Sequence, residues 1–89
     1  AMSTKFQDLS GIKNAALIIG YYKGAKTFLT KSIELDPTFA DGYWLRGKCN
    51  SCLGFIEEAA VDFSNAIKYN PEQVAFYEGW EWAHEELLG

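Results

Sequence analysis

The sequence predicts an all-α protein built from antiparallel helical hairpins stacked side by side. Two observations carry that expectation. One is an internal repeat of 34 residues, and the other is the spacing of apolar residues by three and four inside each repeat. A third supports them: no run alternates apolar and polar residues as a half-buried strand would.

The repeat is read directly from the chain. Glu34-Leu35-Asp36-Pro37 returns 34 residues later as Lys68-Tyr69-Asn70-Pro71. The same shift places Gly20 on Gly54, Ala25 on Ala59, Leu29 on Phe63, Ser32 on Ala66 and Ile33 on Ile67. Leu9 falls on Tyr43, and Tyr43 on Tyr77. The chain therefore divides into a short tail or tag remnant (1–5), a first unit (6–39), a second unit (40–73) and a closing helix (74–89).

Each element follows in order. Phe6, Leu9, Ile12, Ala16 and Ile19 form one helical face, and Gly20 is expected to end that helix in a left-handed conformation. A second stripe then runs through Ala25, Phe28, Leu29, Ser32, Ile33 and Leu35 until Pro37 stops it. Thr38 or Asp41 is expected to cap the next helix. That helix carries Tyr43, Gly47 and Leu53 and ends at Gly54, and its partner carries Ile56, Ala59, Phe63, Ala66 and Ile67 and ends before Pro71. The closing helix presents Tyr77, Trp80, His84 and Leu87 as a stripe to cover the second hairpin. The expected total is five helices.

This pattern resembles the tetratricopeptide repeat family, whose unit reads Trp-x2-Leu-Gly-x2-Tyr, then Ala-x3-Phe, then Pro. The second unit matches it through Tyr43-x2-Arg46-Gly47-x2-Asn50, Ala59-x3-Phe63, Ala66 and Pro71. The first unit reads Leu9-x2-Ile12-Lys13-x2-Ala16, Ala25-x3-Leu29 and Pro37, with Lys13 where the family has glycine. The resemblance spans residues 6 to about 88. It implies a short right-handed superhelix of two units and a cap. Gly47 and Ala59 then give the room two helices need to approach, with Phe63 filling the gap beyond. Arg46 stands in the leucine position and, as a guanidinium needing an acceptor, is expected to pair with Asp62.

The resemblance also implies a function. First helices of such hairpins line a concave groove that takes a peptide or helix of another protein. The residues expected on that face are Ser10 and Asn14, then Asp41, Trp44, Lys48 and Ser51, and finally Glu78 and Trp82. The lysine and asparagine clamp that some members use for a terminal carboxylate is absent: Ser10 precedes Asn14 by four, and Leu45 and Glu78 occupy further clamp positions.

Charge and motifs narrow the classes. The net charge of −4 argues against a general nucleic-acid binder, which needs a basic footprint. Residues 1–39 carry five lysines against three acids, whereas residues 40–89 carry three basic residues against nine acids. The acidic closing helix suits a partner of basic character, although a solvated face explains the same charges. The longest apolar run, Ala15 to Ile19, is five residues, far short of a membrane span, and no secretory signal is evident, so a cytoplasmic protein is expected.

Cys49-Asn50-Ser51-Cys52 is the one motif with reactive potential. It lies late in a helix with no strand before it, and His84 is the only histidine, so small core residues explain the cysteines better than redox or zinc chemistry. No nucleophile–base arrangement and no phosphate-cradling glycine loop is present, so no enzyme activity, cofactor or metal is expected. The alternative to an interaction module is an assembly segment, in which the hairpins pair with a second copy or with more repeats of a larger protein.

Overall fold

The computed structural model describes the backbone of residues 2–89 and the side chains of residues 15–89. Ser10 and Asn14 therefore lie outside the described side chains. Among the described residues the protein is all-helical, with four helices and no strand: α1 (Met2–Leu35), α2 (Ala40–Leu53), α3 (Ile56–Tyr69) and α4 (Val74–Leu88). No helix among the described residues is long and apolar enough to cross a membrane.

The expected count of five helices is thus corrected to four, because α1 runs through Gly20 without a break. A glycine inside a helix costs only about 1 kcal/mol against alanine, so it stops a helix only when other interactions favour the turn. At Gly54 they do. Its φ of 88° is the only positive one among the described residues, and its N–H reaches back to the carbonyls of Asn50 and Ser51. Phe55 N–H adds a bond to Asn50 O at 2.8 Å. Beyond the turn, Gly47 lets α2 close onto Phe63 of α3, where any Cβ would lie 2.8 Å from the ring. In the first unit Lys13 holds the place of Gly47, and Gly20 stays helical with open space around it.

Both prolines end their helices. α1 stops at Leu35 and α3 at Tyr69, each two residues before a proline. The repeat is then visible as a bond made twice: Tyr43 Oη donates to Pro37 O at 2.8 Å, and Tyr77 Oη to Pro71 O at 2.9 Å. The helix following Pro37 is not capped as expected. Its N-cap is Phe39, without a side-chain cap, while Thr38 bonds through N and Oγ1 to Asp36 Oδ1. Asp41 sits in the first turn, where a carboxylate favours the helix dipole.

The core lies along α3. Ile33, Tyr43, Ala66 and Phe76 form one buried cluster, and Ala59, Ala60, Phe63 and Ala83 form the other. α2 packs between α1 and α3, and α4 closes over α3 and the edge of α2. The face by which α4 does so differs from the expected stripe. Phe76 and Ala83 are buried, whereas Tyr77, His84 and Leu87 are exposed. Gly79 and Ala83 win the inner face because α4 must come close to Phe63, whose ring would be 2.8 Å from a Cβ at Gly79. Of the expected stripe Trp80 does pack, half-buried, against the Ala59–Phe63–Ala83 cluster, and the exposed His84 lies against it with ring centroids 4.0 Å apart and the planes tilted by 48°.

Candidate functional site: a cavity between α2 and α4

Between α2 and α4 lies an open cavity of about 350 Å³. Its existence follows from small residues at the helix crossings. Gly79 and Ala75 on α4 carry little bulk, so the wall recedes there and the ring of Phe63 on α3 is left as part of the lining. α2 contributes Trp44, Lys48, Ser51 and Cys52, four positions at helical spacing on one side. α4 contributes Glu78 and Trp82 opposite them.

Of the face read from the sequence, Trp44, Lys48, Ser51, Glu78 and Trp82 come together here. Asp41 is exposed at the start of α2, outside the lining. Cys52, Phe63, Ala75 and Gly79 were not anticipated. Phe63 is a core residue as expected, 2% exposed behind the cavity, and small residues leave no signal in a search for polar or aromatic anchors.

The two tryptophans differ. Trp44 is half-buried, its ring 5.8 Å from that of Phe76, and Lys48 Nζ lies 4.6 Å over its face. Trp82 is 40% exposed at the edge of the cavity. Ser51 Oγ is spent on Gly47 O at 2.8 Å. The polar groups at the mouth are therefore one ammonium, held on an indole, and one carboxylate, Glu78. Such a cavity has the apolar floor and sparse polar rim that suit one or two side chains of a docked segment.

Behind the cavity, a polar cluster fixes the angle of the hairpin. Arg46 donates from Nη2 to Asp62 Oδ1 at 2.8 Å and from Nε to Oδ2 at 3.1 Å, a two-point grip. Asn50 Nδ2 adds a bond to Oδ2 at 2.9 Å, and Arg46 Nη1 reaches Thr30 Oγ1 of α1 at 3.3 Å. The bond to Asp62 raises the Arg46 pKa further above its ordinary value. The neighbouring thiols are both free. Cys49 is buried and Cys52 exposed, and burial pushes the Cys49 thiol pKa up, away from the thiolate that redox chemistry requires. Among the described residues no group of three or more His, Cys, Asp or Glu could hold a metal ion.

No protein-family model matches the chain. Over 50 residues, 56% of its length, the chain is 40% identical to a UDP-N-acetylglucosamine--peptide N-acetylglucosaminyltransferase of Giardia intestinalis. The similarity is to a segment: it covers 3% of that protein's length.

Proposed function

We propose that the chain is a non-catalytic interaction module of tetratricopeptide type. It holds a short segment of another protein in the cavity between α2 and α4, with an apolar side chain of the guest against Trp82. The observation that carries this reading is the convergence of Trp44, Lys48, Glu78 and Trp82 around one apolar-floored cavity. The 34-residue register, the twice-made tyrosine–proline bond and the packed α2/α3 hairpin support the repeat type. The partial similarity to a segment of a large protein agrees with a small unit used inside longer chains.

The chemistry of the guest follows from charge. α4 carries Glu78, Glu81, Glu85 and Glu86 and no lysine or arginine, so a segment with a lysine or arginine beside its apolar anchor gains attraction and speed of encounter. A contact of this size supports affinities of roughly micromolar order. The test is a selection from a random peptide library, followed by titration of tryptophan fluorescence. Enriched peptides should combine an apolar anchor with basic neighbours, and should lose binding to the Trp82→Ala variant. No enrichment, or undiminished binding to that variant, removes the proposal.

A further inference from the structure

The C-terminal half of α1 has two faces. One packs inward: Leu29 and Ile33 are buried, Thr30 accepts a bond from Arg46 of α2, and Lys26 pairs with Glu58 of α3. The other carries Leu17, Tyr21, Phe28 and Leu35, which are 69%, 71%, 70% and 88% exposed. Steps of four, seven and seven residues keep these four side chains within about 40° of one another around the helix. Tyr21 and Phe28 also line an open cavity of about 410 Å³ beside α2. Among the described residues nothing covers the stripe. Soluble monomers rarely leave a contiguous apolar patch of more than a few hundred Å² in water, so a patch of this kind marks a contact.

The pattern of the stripe says what kind of surface fits it. Tyr21, Phe28 and Leu35 form one column at a spacing of seven, the interval at which two helices interlock their side chains. Beside the column stand three residue pairs at the same interval: Leu17-Ile18, Gly24-Ala25 and Lys31-Ser32. An identical helix laid antiparallel, with a two-fold axis beside residue 26, satisfies all three layers at once. Phe28 then enters between Gly24 and Ala25 of the mate, Leu35 between Leu17 and Ile18, and Tyr21 between Lys31 and Ser32. The largest exposed ring thus meets the smallest pair, where a Cβ on Gly24 would find nothing within 4 Å. Lys31, the one charged residue of the three pairs, meets an aromatic face that attracts a cation. Sliding the mate by seven residues keeps only two of the three layers.

We infer that a second copy of this chain covers the stripe, with residues 17–35 of the two α1 helices packed antiparallel about residue 26. The same patch serves on both sides, as a two-fold contact requires. Leu29, Thr30 and Ile33 lie roughly 100–160° round the helix from Phe28, so the mate does not displace α2. The area suffices. Tyr21 and Phe28, at about 150–250 Å² for a whole aromatic side chain, expose roughly 200–350 Å² of ring per copy. Doubled by symmetry and joined by Leu17, Ile18, Leu35 and the stem of Lys31, this approaches the roughly 1,200 Å² at which specific interfaces begin. Glu78 and Trp82 of the other cavity take no part, so the pairing is independent of the peptide reading.

In sedimentation equilibrium the 89-residue chain should dimerise with a Kd of roughly micromolar order. Phe28→Asp should weaken the dimer by about tenfold or more. Because Phe28 is exposed within one chain, the variant should keep its helices by circular dichroism. Leu17→Lys and Leu35→Glu should each weaken the dimer likewise. An equimolar mixture of these two should recover it, because the heterodimer holds one Lys–Glu and one Leu–Leu contact. A mixture of Leu17→Lys with Tyr21→Glu should not, since those positions do not meet about this axis. A monomer at every concentration up to about 1 mM overturns the inference and leaves the stripe to a neighbouring repeat of a longer chain. Phe28→Asp pairing as tightly as the parent chain overturns it too, as does a Leu17→Lys and Leu35→Glu mixture no tighter than its components.

Discussion

Asp62 is the most demanding residue of the hairpin, accepting three bonds with a carboxylate that is almost fully buried. Removing it leaves Arg46 and Asn50 without their acceptor. Asp62→Ala should cost about 3 kcal/mol, the low end for a broken buried pair because Arg46 keeps some contact with water, measured by urea unfolding. Ala59 has no exposed surface at the closest part of the packing, so Ala59→Leu should cost about 1–3 kcal/mol by overpacking in the same assay. The two thiols should separate under alkylation. Cys52 should react in the folded protein and Cys49 only on unfolding, as mass spectrometry would read. Because the folded Cys49 thiol keeps its proton to higher pH than the unfolded chain does, its ionisation favours unfolding as pH rises above the ordinary thiol range. The pairing of Arg46 with Asp62 was legible in the sequence, since a buried charge demands a partner. The bond from Asn50 was not, because a neutral amide makes no such demand.

At the scale of the element, two glycines of the same repeat position behave oppositely, and they give a direct comparison. Gly54 has a positive φ, so Gly54→Ala should destabilise by about 1–2 kcal/mol. Gly20 is helical and unobstructed, so Gly20→Ala should stabilise α1 by up to about 1 kcal/mol; thermal melting followed by circular dichroism checks both. The boundaries set by Pro37, Gly54 and Pro71 could be read from the chain because each imposes a backbone constraint on its own. The run through Gly20 could not, since a helical glycine and a turn glycine look alike until the rest of the hairpin decides between them. The face of α4 was missed for a related reason. Four aromatic rings and a histidine within nine residues offer more than one apolar stripe, and only the position of the Phe63 ring selects the one carrying Gly79 and Ala83.

Across the whole molecule, the acidic α4 and the cavity beside it lie at one side of the stack, and the uncovered apolar face of α1 lies at the other. Binding of a basic segment at the acidic side should weaken with added salt, which titration at two ionic strengths checks. One feature of the interior links stability to recognition. The Phe63 ring is gripped between backbone at Gly47 and backbone at Gly79, so its thickness acts as a spacer that fixes how far apart α2 and α4 stand. The mouth of the cavity between α2 and α4 therefore has its width set by a residue that also holds the stack together. Widening the opening for a larger guest by trimming that ring would loosen the domain by the same stroke. New specificities are more freely reached by changing Trp82, Glu78 or Lys48 on the rim.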